Sequence, residues 1–282
     1  MYRIMVQGTT SSAGKSLMCT GLCRIFREDG FKVYPFKSQN MSSKFYITEE
    51  GKKMSVAQAL QARAAGLAPS HHMNPILLIP NSDTGSLVVI NGEETENMSG
   101  KDYMRLRPTF KEMIKEKYKE IEAQSDVVVI EGAGSPAEIN LKKDDFVNMG
   151  MAELADAPVL LVTDIDRGGS FAALYGTVML LEPHERARIK GLIINKFRGD
   201  KTLLEPGIRM IEDLLNIPVV GVIPYMLLDL IDEDSLVDRN RESKKEEKNL
   251  EKEELELRKL SSLIRANMDM DYIYKIIGVN ND

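Results

Sequence analysis

A glycine-bounded run near the amino terminus has the composition of a phosphate-binding loop. The run consists of Gly8, Thr9, Thr10, Ser11, Ser12, Ala13, Gly14, Lys15 and Ser16. It follows the apolar residues 4–6 and precedes a helical pattern that ends near Gly30, which is the strand, loop and helix context that such a loop needs. Backbone N–H groups and the start of the helix would bind phosphate oxygens. Lys15 would contact the β- and γ-phosphates, and the Ser16 hydroxyl would bind Mg²⁺.

The spacing of this loop departs from the usual pattern by one residue. Five residues separate Gly8 from Gly14, where the standard pattern has four. A longer first arm leaves the Gly-Lys-Ser ending in place, so the sequence still predicts nucleotide binding here. The alternative is an ordinary turn before a helix.

Polar residues also follow several other predicted strands. Glu131 ends an apolar run and would bind Mg²⁺ directly or through water, unless it is a solvated residue of a turn. Lys37 would neutralise a transferring phosphate or a substrate carboxylate, unless it is a surface lysine. Asn195 and Lys196 would contact the edge and the face of adenine. The acids, arginine and glycines of residues 164–169 could hold a substrate or a phosphate.

Apolar runs alternate with helical patterns along most of the chain. The runs that predict strands are Ile4–Val6, Lys32–Phe36, Leu87–Ile90, Asp126–Ile130, Pro158–Val162, Ile189–Ile194 and Pro218–Ile223, and the predicted helices span about 55–66, 101–124, 168–182 and 201–216. Most runs are continuous, as in buried parallel strands. The pattern predicts an α/β fold with a doubly wound, mostly parallel sheet of the P-loop NTPase type, with ligands at the carboxyl ends of the strands.

The composition limits the classes of function. The 282 residues suffice for one large α/β core or two modest domains. The formal net charge of −6 argues against nucleic acid as the main partner, because nucleic-acid binding relies on clustered Lys and Arg. There is no signal peptide and no apolar run of membrane-spanning length, so we expect a cytoplasmic protein without a membrane partner. Cys19 and Cys23 share one face of the first predicted helix, either buried or as a reactive pair.

The composition changes after Asp234. Residues 238–259 are dominated by Lys, Arg and Glu, and apolar residues recur at helical spacing at Leu250, Leu257, Leu260, Leu263 and Ile264. This pattern predicts a charged linker that becomes an amphipathic helix. The helix either docks on another surface or is solvated and has only a short apolar stripe. We therefore divide the chain into a main domain, 1–237, and a charged linker with a C-terminal helix, 238–282.

Nine segments together resemble the cobyric acid synthase family. They are VQGTTSSAGKS, PFKSQNMS, AQALQARAAG, MNPILLIPNSDTGS, EGAGSPAEINL, VNMGMAELADAPV, DIDRGG, GLIINKFRGD and PVVGVIPY. The resemblance covers roughly residues 1–237 and implies a fold related to dethiobiotin synthetase and, more distantly, to MinD-like ATPases. The implied activity is ATP-dependent amidation of corrinoid side-chain carboxylates in cobalamin biosynthesis, with adenosylcobyrinic acid a,c-diamide or a similar corrinoid as substrate.

The resemblance also implies roles for individual residues. Residues 8–16 would bind the triphosphate of ATP, Ser16 and Glu131 would bind Mg²⁺, and Asn195 and Lys196 would contact adenine. Catalysis through an acyl phosphate would use Lys15, Lys37 and Asp145. The corrinoid would lie near Gln39, Asn40, Asp83 and Arg167.

The chain departs from the family pattern after the main domain. Family members normally carry a C-terminal glutaminase domain with a Cys nucleophile and a His base, and residues 226–282 contain neither residue type. The ending, residues 260–277, resembles the extreme carboxyl terminus of full-length members, so we expect a member whose glutaminase domain is removed from the middle. Such a protein would use free ammonia or a separate glutaminase. Ile79 and Leu87 replace an expected Lys and Gln, which leaves the exact corrinoid open.

Two other kinds of function stay open at this point. One is a dethiobiotin-synthetase-like ligase that acts on another carboxylate or amine, although the SDTGS and DIDRGG segments disfavour it. The other is a non-catalytic protein, either an ATP- and corrinoid-binding remnant or a MinD-like ATPase switch. The switch is disfavoured because Thr and Ser stand where MinD-like proteins usually carry a lysine in the loop. A homo-oligomer is open as well.

Overall fold

The computed structural model describes residues 1–81, 85–226 and 243–279, with backbone alone for 243–249. The strands are β1 (Tyr2–Gly8), β2 (Val33–Phe36), β3 (Gln39–Met41), β4 (Tyr46–Ile47), β5 (Lys53–Met54), β6 (Ile76–Pro80), β7 (Gly85–Ile90), β8 (Glu93–Ser99), β9 (Val127–Glu131), β10 (Val159–Asp164), β11 (Ile189–Phe197) and β12 (Val219–Pro224). The helices are α1 (Lys15–Glu28), α2 (Val56–Ala64), α3 (Gly100–Glu122), α4 (Met149–Leu154), α5 (Ser170–Met179), α6 (Pro183–Arg186), α7 (Glu205–Leu215), α8 (Ser243–Asn267) and α9 (Met270–Ile277).

A parallel sheet forms the centre of the fold. Among the described residues it has six strands in the order β12-β11-β10-β1-β9-β2, and every pairing in it is parallel. Its strands are continuous apolar runs because helices cover both faces, as with the fully buried residues of β9. The predicted doubly wound, mostly parallel α/β fold is confirmed. Its carboxyl edge carries the ends of β1, β2, β9, β10 and β11, and therefore most of the predicted site residues.

The predicted strand Leu87–Ile90 lies outside this parallel sheet. It belongs to β7, which pairs antiparallel with β6 and β8 in a second sheet of order β3-β6-β7-β8. Expecting it in the parallel sheet was wrong. Only four residues separate Pro80 from Gly85, whereas a parallel crossover needs a dozen or more, so the two strands can only form a hairpin.

Local signals explain where several helices begin and end. The Ser99 hydroxyl accepts a hydrogen bond of 3.2 Å from the Asp102 N–H at the start of α3, and the Asp269 carboxylate accepts one of 3.0 Å from the Tyr272 N–H at the start of α9. Such caps satisfy N–H groups that the helix itself leaves unpaired. Helix α7 ends at Leu215 and is followed by Asn216, which adopts a left-handed conformation. None of the described helices combines the length and the apolar composition needed to cross a bilayer.

The C-terminal helices pack against the helix that follows the phosphate loop. Leu257, Leu260 and Ile264 are buried in the same apolar cluster as the inner face of α1. The approach is close: a Cβ atom added at Gly21 would lie 2.1 Å from Ile264 Cδ1. Helix α8 therefore docks on α1, one of the two alternatives that the sequence left open. The predicted boundary between residues 237 and 238 lies outside the described residues.

Ion pairs flank this apolar contact. The Arg24 guanidinium donates two hydrogen bonds, of 2.9 and 2.6 Å, to the Glu254 carboxylate. Arg63 on α2 likewise makes a bidentate pair with the Glu253 carboxylate, with hydrogen bonds of 2.5 and 2.9 Å. A paired arginine and carboxylate fix direction as well as distance. The charged face of α8 is thus aligned with α1 and α2 rather than with solvent alone.

Candidate functional site

The phosphate loop is shaped by two residues at the end of β11, which lies two strands away from β1 in the sheet. Gly14 has a φ of 104°, and a Cβ atom there would lie 2.1 Å from Asn195 Nδ2. Asn195 in turn donates a hydrogen bond of 2.9 Å to the Ala13 carbonyl, and Lys196 Nζ donates one of 3.0 Å to the Ser12 carbonyl. Residue 14 therefore has to be glycine, both for its backbone conformation and for the space that Asn195 occupies.

The Lys15 ammonium lies between the loop and the end of β9. It donates hydrogen bonds to the carbonyl oxygens of Thr10 (2.9 Å), Ser11 (3.3 Å) and Gly134 (2.9 Å). Burial lowers the pKa of Lys15 to about 8, although the nearby Glu131 charge opposes this shift. The side chain is therefore mostly charged at neutral pH, at a place where backbone oxygens could exchange for phosphate oxygens.

Glu131 is the centre of a buried polar network. Its Oε1 accepts hydrogen bonds from Lys37 Nζ at 2.6 Å and from the Ser16 hydroxyl at 2.8 Å. Its Oε2 accepts from the side-chain amides of Gln58 at 3.1 Å and Gln61 at 2.5 Å. Burial by itself would raise the pKa of Glu131, but the Lys37 charge and these hydrogen bonds outweigh it and lower the pKa. The carboxylate is thus ionised and held from four directions.

The oxygen atoms near Ser16 suit Mg²⁺. A hydroxyl and a carboxylate are hard ligands of the kind that Mg²⁺ accepts, and they lie side by side here. Within the described part of the chain, no group of three or more His, Cys, Asp or Glu side chains could hold a metal ion. A site with only one or two protein ligands is consistent with Mg²⁺, because this ion keeps several waters and also binds the phosphate oxygens of the substrate. The Lys37 ammonium and the Ser16 hydroxyl both donate to Oε1 of Glu131. A bound Mg²⁺ would therefore use the same carboxylate as Lys37.

Asn195 and Lys196, the two residues predicted to contact adenine, lie together at the end of β11. Lys196 has a φ of 61° and its Nζ pairs with the Asp164 carboxylate at 2.7 Å. The Asn195 side chain is buried and engaged with the loop. Arg167 is well exposed and lies 3.6 Å from the same Asp164. These contacts connect the ends of β10 and β11 to the phosphate loop, and the adenine contact itself stays a prediction.

A cavity of about 240 Å³ adjoins the phosphate loop on the side of β3 and of the loop that follows β9. Its lining residues are Ser11, Gln39, Met41, Arg107, Ala133, Gly134, Ser135, Pro136, Glu138, Leu141, Lys142, Asp145, Val147 and Asn148. Gln39, predicted to lie near the substrate, and Asp145, predicted to be catalytic, are among them. Asn40 is buried and donates to the Ser55 hydroxyl at 2.8 Å. Arg167 does not line this cavity, and Asp83 lies outside the described residues.

The Asp145 carboxylate organises the loop that leads into α4. It accepts backbone N–H bonds from Val147 (2.8 Å), Asn148 (3.2 Å) and Gly150 (2.7 Å). Val147 and Asn148 belong to the turn before α4, and Gly150 lies in its first turn, so the carboxylate holds the chain where it enters the helix. The catalytic role that the resemblance implies for Asp145 stays a prediction, and its observed contacts are those of a positioning residue.

Sequence reasoning missed three polar residues of this region. Gln58 and Gln61 are fully buried against Glu131, and their spacing of three residues on a predicted helix, which places both amides on one face, was an available signal. Arg107 lines the cavity, but nothing sets it apart from the other charged residues of α3. A larger cavity, of about 540 Å³, lies at the opposite edge of the sheet beside Ile189 and Pro218 and shares no lining residue with the first.

Comparisons with known proteins agree with this arrangement. Residues 4–233 match the CbiA family, described as the CobQ/CobB/MinD/ParA nucleotide binding domain. A protein named cobyric acid synthase from Alkaliphilus metalliredigens is 57% identical over 246 residues, which cover 87% of this chain and 49% of that protein. One of the same name from Caldanaerobacter subterraneus is 59% identical over 237 residues, which cover 84% of this chain and 47% of that protein. The chain spans about half the length of these curated relatives.

Solved structures share only a distant likeness with the chain. The signal recognition particle receptor FtsY from Elizabethkingia anophelis aligns with a TM-score of 0.45 and 17% identity, over 91% of this chain and 65% of that one, and we infer nothing from it. The sequence match to the family covers more than half of the chain and includes the phosphate loop, Glu131 and Asn195. The chain belongs to the CobQ/CobB/MinD/ParA nucleotide-binding domain family.

Proposed function

We propose that this chain is an ATP-dependent amidoligase that converts side-chain carboxylates of a corrinoid into amides, as in cobyric acid synthesis. The observation that carries the proposal is the placement of the 240 Å³ cavity, whose lining includes Ser11 of the phosphate loop and Gly134, both bound to Lys15. A carboxylate in that cavity would lie beside the terminal phosphate of a bound nucleotide. The curated relatives, which this chain matches over about half of their length, are named cobyric acid synthase, and that name supports a corrinoid as the substrate.

The chemistry requires the carboxylate to be activated. A carboxylate oxygen attacks the γ-phosphorus, and the bond from that phosphorus to the β,γ-bridging oxygen breaks. ADP departs, and the substrate carries the phosphoryl group as an acyl phosphate. Ammonia then attacks the acyl carbon, the bond to the phosphate oxygen breaks, and phosphate departs as the nitrogen loses a proton. Lys15 and Lys37 stabilise charge on the transferring group. Mg²⁺ bound at Ser16 and Glu131 would neutralise charge on the β- and γ-phosphates.

The nitrogen would come from outside this chain. Glutamine hydrolysis needs an activated nucleophile, usually a cysteine beside a base. Cys19 and Cys23 are fully buried on α1, and burial raises the pKa of both thiols. Neither can act as an exposed thiolate. Free ammonia or ammonia from a separate glutaminase is therefore the proposed second substrate.

Phosphate release by the purified protein tests this proposal. It is measured with Mg-ATP, with and without adenosylcobyrinic acid a,c-diamide, and with ammonium or glutamine as the nitrogen source. We expect turnover that depends on the corrinoid and on ammonium but not on glutamine. Lys15→Ala should abolish it, whereas Lys101→Ala, at an exposed position on α3, should not. Tight ATP binding without corrinoid-stimulated turnover would instead support a remnant, and turnover with another carboxylate a different ligase.

A further inference from the structure

Arg107 is a buried cation without a strong partner. Its side chain is 6% exposed, yet its contacts are long: Nε and Nη2 each lie 3.4 Å from the Asp144 carbonyl, and Nη1 lies 3.8 Å from Met104 Sδ. Its nearest carboxylate oxygen, on Asp145, is 3.9 Å away. Charge-assisted hydrogen bonds are normally about 2.7–2.9 Å long. Most of the hydrogen-bonding capacity of this guanidinium is therefore unused within the described residues.

The acids around Arg107 are engaged elsewhere. Both oxygens of Asp145 accept backbone N–H bonds of 2.7–3.2 Å. Glu138, the other acid in the lining, accepts a bond of 3.1 Å from the Ser135 N–H. The second cation in the lining, Lys142, already binds Glu185 at 2.7 Å. Arg107 is the remaining charged side chain of the described lining, and no close ion partner satisfies it.

The position of Arg107 fits binding of an anion. It lines the 240 Å³ cavity opposite the phosphate-loop residue Ser11. Its guanidinium carbon lies 5.4 Å from the centre of the Phe146 ring, which supports the group from one side. A guanidinium matches the two oxygens of a carboxylate in spacing and in plane.

The size of the cavity restricts what can enter. Sites that enclose a whole ligand usually measure about 300–1,000 Å³, and this one measures about 240 Å³. A short alkyl carboxylate fits, whereas a macrocycle has to stay outside. We propose that the cavity is a subsite for one carboxylate side chain of the substrate and that Arg107 binds this carboxylate beside the phosphate loop. The corrinoid identity of the substrate rests on the function proposed above, but the carboxylate subsite does not.

The first test measures binding of a minimal ligand. Saturation-transfer NMR would compare propionate with propionamide on the wild-type protein, on Arg107→Gln and on Arg107→Lys. The matched control is Arg105→Gln, which removes an arginine that is 70% exposed on the same helix. We expect a signal from propionate with the wild type and the control, loss of that signal in Arg107→Gln, and an intermediate signal in Arg107→Lys. ATP affinity and thermal midpoint verify that each variant is folded.

The second test uses the corrinoid. Calorimetry would compare adenosylcobyrinic acid a,c-diamide with its methyl esters, in the presence of a non-hydrolysable ATP analogue. We expect Arg107→Gln to weaken binding of the free acid by about 10- to 100-fold and to remove its preference over the ester. Propionate binding that does not depend on Arg107 in folded variants would overturn the subsite. Arg107-dependent propionate binding without corrinoid binding by the wild type would uphold the subsite and refute the corrinoid as substrate.

Discussion

Docking of α8 on α1 can be tested with two leucines of the same helix. Leu260 is fully buried in the cluster with α1, and Leu255 is 53% exposed. Both changes, Leu260→Ala and Leu255→Ala, remove the same atoms and have the same effect on helix propensity. Truncation of a buried leucine costs about 2–5 kcal/mol through lost transfer energy and an unfilled cavity. The exposed truncation should cost about 0.5 kcal/mol or less.

The stability lost in Leu260→Ala should be large enough to measure by thermal or urea unfolding. A loss of about 2–5 kcal/mol is a large part of a typical stability of about 5–15 kcal/mol. Since 1 kcal/mol shifts Tm by about 2–4 °C in domains of 150–250 residues, Leu260→Ala should lower Tm by roughly 4–20 °C. Urea unfolding followed by circular dichroism should show a lower midpoint with an unchanged slope. Equal midpoints for the two variants would refute the docked helix, as would a separate early transition for α8 in the wild type.

Two further changes test the polar contacts. Gln61→Ala removes a hydrogen bond to the Glu131 carboxylate, and a bond to a charged group contributes about 1.5–3 kcal/mol. This change should lower kcat for phosphate release by about 10-fold with little change in the KM for ATP. Gln124→Ala, at an exposed site, should change neither constant. Hydrogen bonding to Arg24 lowers the pKa of Glu254 from its ordinary value of 4.5. The stability difference between wild type and Glu254→Gln should therefore be full at neutral pH, decline as pH falls below about 4.5, and be lost as pH passes the lowered pKa. A difference in unfolding free energy that grows with acid would contradict the pairing.

Local sequence rules were enough for the phosphate loop and the main sheet. The Gly-Lys-Ser ending requires a glycine where the backbone turns left-handed, and Gly14 adopts that conformation. Continuous apolar runs correctly predicted the strands of the parallel sheet, because a strand covered on both faces has no polar side to alternate with. The hairpin of β6 and β7 was missed, since an apolar run such as Leu87–Ile90 does not reveal its partner or its direction.

Contacts between distant residues were decided by the tertiary structure. Glu131 meets Lys37 and Gln61 across separations of 94 and 70 residues, and no spacing rule connects them. The same holds for Asn195, whose amide binds the loop 182 residues away, and for Arg107, whose weak contacts become visible only in the cavity. The proposed roles of these residues in binding and catalysis stay predictions.

The sequence alone was enough to predict a phosphate loop after the first strand of a parallel α/β sheet, because loop composition and apolar periodicity are properties of residues that are close in sequence. It also predicted an amphipathic C-terminal helix, but could not say what that helix contacts. Only the tertiary structure placed the helix on α1, where Ile264 lies against Gly21, and surrounded the Glu131 carboxylate with four donors. Burial and charge compensation depend on which surfaces meet in space, and this is settled by packing of the whole chain rather than by any single segment.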